Sequence, residues 1–161
     1  MMSTANKVLD YIKNVLEVPR KEYSGMSACP FAKKERETDN IYIDVIEEDN
    51  GFLECMKKFL DSGKNSAVFI QNDDISEYET IRYQKYLNTI LKELKIDKYF
   101  KTLCINPNDE LDVDGLNVRS QAPCFLILVN PRKEINDAHK NLLNTKYYDK
   151  MSDKYKKYLG V

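Results

Sequence analysis

A single thiol sits where the sequence offers most for chemistry. The run "SGMSACPFAKKER", residues 24–36, places Cys29 against Pro30 and Phe31 and ahead of Lys33, Lys34 and Arg36. Neighbouring cations favour a thiolate. A thiolate is a soft ligand, suited to iron in heme. Pro30 has no N–H to donate to the sulfur, and it stiffens the loop. Phe31 offers an apolar wall. Four fates are open to Cys29: a packed apolar thiol, the commonest for a free cysteine, a reactive nucleophile, a redox switch, or a metal ligand.

Other residues qualify by position. Arg119 precedes the most apolar run of the chain, "APCFLILV", and Arg132 follows it. Two arginines flanking a strand can grip a carboxylate or phosphate in bidentate fashion. Ser120 stands beside the first of them. His139 shares a helical face with Ile135 and Leu142, where a packed structural histidine competes with a proton donor or ligand. Glu110, Asp112, Asp114 and Gly115 echo the opening of a calcium loop, but Gln121 stands where the bidentate Glu belongs. A solvated turn is the simpler reading. There is no G-x-x-x-x-G-K and no G-x-G-x-x-G, neither a second histidine nor a nearby Ser pattern supports a triad, and a single histidine excludes a multi-histidine metal centre in one chain.

The composition narrows the class. The 161 residues include 25 Lys+Arg and 26 Asp+Glu, so no basic footprint for nucleic acid exists. The first residues lack a signal-peptide core, and no run approaches a membrane span. The expectation is a cytoplasmic protein with four reduced cysteines. Cys29, Cys55, Cys104 and Cys124 contain no C-x-x-C pair, which argues against structural zinc. A small-molecule substrate is the expected partner, and a homodimer is left open.

These residues must be held by a scaffold. Periodicity predicts helices over 3–17, 51–63 and 76–96, with strands at 41–47, "SAVFIQ", "FKTLCI" and "APCFLILV". Ser76 and Glu79 have capping-box spacing. Asn130 and Pro131 should open the next helix, and the Tyr/Lys-rich tail reads as a polar helix surface with snorkelling lysines. The order predicts a single α/β (α+β) domain over 1–161, a mixed sheet of about four strands with helices packed on it. Two long loops stand out, a Cys-Pro loop at 19–40 and a functional loop at 106–122.

Two blocks together carry a resemblance. "CPFAKK" resembles the Cys-Pro-Phe-Ala signature of a family of small uncharacterised bacterial proteins, and "GLNVRSQAPCFLILVNPRKEINDAH" resembles that family's second block. The second block is also similar to the YqcI/YcgG-type heme-dependent enzymes, with their Arg-x-Ser element, apolar strand and Pro-Arg helix start. The resemblance implies a heme-thiolate oxygenase, an oxidoreductase of monooxygenase type, acting on a small amine, guanidino or amino-acid metabolite. It implies Cys29 as the iron ligand, Pro30 and Phe31 beside it, Arg119 and Arg132 on heme propionates or a substrate carboxylate, and Ser120 and His139 as catalytic groups. Asp112 and Asp114 would receive a cationic substrate. The alternatives are a non-catalytic heme or redox sensor and a metal-free interaction protein.

Overall fold

The computed structural model describes residues 1–47, 51–72, 75–113 and 116–161, with the backbone alone at 111–113, 116–119 and 158. Its centre is a four-stranded sheet of β3 (Ile41–Val45), β4 (Ser66–Gln71), β5 (Phe100–Ile105) and β8 (Phe125–Pro131). The strand order is β3-β4-β8-β5. β3 and β4 run parallel, joined by α3 (Phe52–Ser62), while β8 is antiparallel to both β4 and β5. The expected α+β architecture, a mixed sheet with helices packed on it, is therefore present.

Alternation along β4 and β8 decides the packing. Ala67 and Phe69 of β4, with Phe125, Ile127 and Val129 of β8, face α3 and α4 (Glu77–Glu93). There they meet Phe52, Cys55, Met56 and Phe59 of α3 and Leu87, Ile90 and Leu91 of α4. Val68, Ile70, Leu126 and Leu128 point to the other face. That face is covered by α1 (Thr4–Tyr11), its π-helical continuation Ile12–Leu16, and α2 (Ala32–Glu37). The uninterrupted apolar run is thus a strand buried on both sides.

Local chemistry sets the helix ends. Ser76 Oγ accepts from the Glu79 N–H at 3.2 Å, and Glu79 Oε2 accepts from the Ser76 N–H at 2.9 Å, closing the capping box. Gly63 ends α3 in the left-handed region, φ 71°. Leu60 and Leu94, which periodicity places on the buried faces of α3 and α4, lie exposed near the helix ends.

Both predicted loops contain structure. The first holds a short ribbon, β1 (Pro19–Arg20) with β2 (Met26–Ser27), then α2. The second holds the ribbon β6 (Glu110–Val113) with β7 (Leu116–Arg119). Apolar and polar residues alternate along both of its arms around an Asp-Gly pair, a strong hairpin signal. Asp114 and Gly115 lie outside the described residues. Past β8, Pro131 is its last residue, and α5 (Arg132–Leu143) starts one position later than expected. The tail ends in α6 (Asp153–Leu159). No helix among the described residues is long and apolar enough to cross a membrane.

The boundary of β8 ranks the cysteines. Cys124 stands ahead of the strand and half-buried, whereas Cys104 in β5 is buried. Cys104→Ser should lower the unfolding free energy by about 1–3 kcal/mol and Cys124→Ser by clearly less, while Ile127→Ala should cost about 2–5 kcal/mol. Urea denaturation of the three variants checks this order.

Candidate functional site

A cavity of about 170 Å³ lies on the second face of the sheet, beside β5 and β8. Leu103, Ile105, Leu128 and Asn130 form its floor. One wall is the N-terminal segment. Its π-helical turn puts Val15 and Leu16 at the cavity, a use typical of π-bulges. The Leu16 carbonyl accepts from the Cys29 N–H at 3.1 Å, which draws the Cys-Pro loop in behind the helix. The other wall comes from α5 and the tail, through Ile135, His139, Leu142, Tyr147, Tyr148 and Tyr155.

Cys29, Pro30, Phe31, Ser120 and His139 all line this cavity. Residues 110 positions apart in the chain, taking Cys29 to His139, thereby share one space. Arg132 does not join them. Its guanidinium donates to the carbonyls of Asp97 and Phe100, clamping the turn that enters β5. The backbone of Arg119 pairs with Glu110 in the ribbon, and the side chains of Arg119 and Asp112 lie outside the described residues.

The electrostatics around Cys29 run opposite to the sequence expectation. Lys33 and Lys34 are exposed on α2. Arg36 is held by Glu17 in a bidentate ion pair, at 2.6 and 3.0 Å. Burial pushes the Cys29 thiol up to about 12. The N–H groups of Ala32 and Phe31 oppose this, and the nearby carboxylates of Glu17 and Glu35 add to it. Glu35 is itself buried and accepts from Ser66 Oγ at 2.8 Å, fixing α2 to the start of β4. At neutral pH the sulfur therefore carries its proton.

The remaining groups are arranged by a buried amide. Asn106 is 2% exposed. Its Nδ2 donates to Thr80 Oγ1 and to the Ile75 carbonyl, and its carbonyl accepts from Ser120 Oγ at 2.8 Å. Its N–H donates to Asp109 Oδ2 at 3.1 Å. Asp109 and Ser120 are both held at the cavity by this network. Burial holds the Asp109 carboxyl above its usual range. His139 meets Tyr148 edge-on at 6.2 Å, and burial, then the Lys101 charge, keeps the imidazole neutral at pH 7.

Sequence reasoning missed the tyrosines. Tyr147 and Tyr148 are buried, and Tyr155 lines the same cavity, rather than lying on a polar helix surface. Tyr23 stacks on Tyr147 at 5.1 Å, Tyr147 meets Tyr148 edge-on at 4.8 Å, and the Tyr147 hydroxyl donates to the Ala28 carbonyl. Tyr11 is 6% exposed and lines the cavity, with Tyr23, Cys29, Arg20 and Asp109 as its electrostatic neighbours, and its hydroxyl makes no hydrogen bond with the described residues. Its place on the face of Val8 and Ile12 was the only available signal, and it reads as core.

The cavity is smaller than the roughly 300–1,000 Å³ of ordinary ligand sites. It suits a small metabolite as it stands. A porphyrin requires lining side chains to move aside and the Cys29 thiol to lose its proton. Among the described residues no group of three or more His, Cys, Asp or Glu is placed to hold a metal ion. No protein-family model, no curated protein and no solved structure matches the chain.

The thiol environment gives a measurable outcome. Below both pKa values, a shift from 9.0 to about 12 lowers the thiolate fraction of Cys29 roughly a thousandfold. Peptide-resolved alkylation at pH 7.5 should find Cys29 slower than a free thiol by that order, with its rate still rising at pH 10. Cys104 is also pushed up to about 12. Both thiols keep their protons in the folded chain where the unfolded chain releases them. Stability should therefore be full below about pH 9 and decline as pH rises towards 12. Urea midpoints measured from pH 8 to 11 check the sign.

Proposed function

We propose that the chain binds a small polar metabolite, an amine, guanidino compound or amino acid, in the cavity between its N-terminal segment and its tail. The observation that carries this reading is Tyr11, a largely buried phenol that lines the cavity and whose hydroxyl makes no hydrogen bond with the described residues. A ligand that bonds this hydroxyl gains about 0.5–1.5 kcal/mol. Asp109 offers a carboxylate to an ammonium or guanidinium, and Arg20 and Glu22, paired with each other at 3.6 Å, offer a zwitterionic ligand an ion pair to exchange with. The tyrosine rings give such a cation aromatic faces to pack on.

A second reading is a heme-thiolate oxygenase acting on the same class of metabolite, or a heme or redox sensor built on the same residues. The meeting of Cys29, Pro30, Phe31, Ser120 and His139 at one cavity favours it. Heme held through that sulfur would supply oxygen activation. The small cavity and the protonated thiol favour the metal-free reading.

Tyr11→Phe separates binding from stability. The variant should melt at the same temperature as wild type, because the hydroxyl bonds none of the described residues, and should bind the ligand about 5- to 10-fold more weakly. Thermal shift and NMR titration with a panel of small amines, guanidino compounds and amino acids read both. A melting temperature that drops, or a panel with no binder, overturns the reading. Hemin titration giving a Soret band that Cys29→Ala abolishes would move the second reading to first place.

A further inference from the structure

The walls of the cavity are tied down in different ways. β5 and β8 are joined by a continuous backbone ladder. The N-terminal wall is held by the Leu16–Cys29 backbone bond and by the Glu17–Arg36 pair. The wall made by α6 contributes Tyr155 and Leu159 to the cavity, and the bonds that attach it come from side chains. Lys101 Nζ on β5 donates to the Leu159 carbonyl at 2.6 Å. Tyr155 makes a side-chain hydrogen bond with Tyr23 across the cavity. Lys154 pairs with Glu77 at 3.0 Å, but both side chains are exposed, and such a pair contributes little.

The Lys101 bond is the tie that matters. Burial, then the charge of Arg132, draws the Lys101 ammonium below its ordinary pKa. A partly buried ammonium needs an acceptor. The last turn of α6 offers one, because carbonyls there lack helical partners and lie at the negative end of the helix dipole. Gly160 makes the approach feasible. It ends α6 at φ 80°, and a Cβ at this position would stand 2.9 Å from Lys101 Nζ. Glycine thus supplies both the left-handed turn and the clearance for the amine. Just upstream, Met151 is buried in the tyrosine cluster, and Ser152 is extended, ψ 152°, capping α6 through the Tyr155 N–H. A hinge between Met151 and Ser152 would leave the cluster intact.

We propose that residues 152–161 form a lid over the cavity, latched by Lys101 on the Leu159 carbonyl. Release of this latch opens the cavity to ligand, as lids drawn from the least stable part of a fold do elsewhere. The lid's purpose rests on the small-molecule reading above. Its opening is measurable with no ligand present.

The test uses hydrogen exchange resolved by peptide, with alkylation of Cys29 as a second readout, on the full chain. The variants are Lys101→Met, Gly160→Ala and the double substitution. In Lys101→Met, the α6 amides should exchange at least about tenfold faster, the strength of a hydrogen bond to a charged group. Cys29 should be alkylated faster in step, while β4 and β8 keep their protection. Gly160→Ala should do the same from the other side of the contact. The double variant should go no further than the faster single, because both remove one latch. Unchanged α6 exchange in both singles overturns the proposal. So does faster exchange that spreads to β4 and β8, multiplicative effects in the double variant, or an opened α6 that leaves Cys29 as slow as before. A screen with no binder, beside α6 opening as described, sinks the ligand reading and supports the lid.

Discussion

The constraint behind this architecture is the double burial of β8. Its residues alternate between two apolar layers, and neither layer tolerates water. α3 and α4, which lie within the sheet's own chain order, cover one side. The other side must be covered by segments from outside the sheet, the N-terminal helix with its π-helical turn, and α2. That cover reaches Val68, Ile70 and Leu126 but thins out towards β5. The cavity is the space left where borrowed cover from the N-terminus meets borrowed cover from the tail.

Two polar centres near that space contrast with each other. Asn106 is buried and satisfied in every direction, and it reaches α4, the ribbon approach and Ser120 at once. A satisfied buried network of this kind rigidifies what it touches. Tyr11 is nearly as buried, and its hydroxyl makes no hydrogen bond with the described residues. The contrast leaves the phenol, and not the amide, able to take a partner from the cavity.

The parts of the fold that read from sequence are those where local pattern and tertiary need agree. The Ser76–Glu79 cap, the stop at Gly63 and the apolar run of β8 each have a local cause, and each is present. The site read less well, for reasons visible in single residues. Lys33, Lys34 and Arg36 stand near Cys29 in sequence, but helical geometry turns the lysines to solvent and Glu17 takes the arginine. Arg132 looked like an anion ligand, and the open carbonyls of the turn before β5 took it up instead. Tyr147 and Tyr148 share their stretch with lysines, so composition pointed outward where packing points inward. Pairing across more than a hundred residues, as between Tyr147 and Ala28, leaves no local trace.

The tyrosine cluster has an optical consequence. The chain has eleven tyrosines and no Trp, and among the described side chains Tyr11, Tyr23, Tyr147, Tyr148 and Tyr155 border the cavity. No indole is present to drain their excitation or mask their ultraviolet bands. The near-ultraviolet circular dichroism and intrinsic emission of the unlabelled protein are therefore weighted towards one place. Light absorbed by these phenols reports on the pocket itself, so the molecule carries its own probe of what enters there.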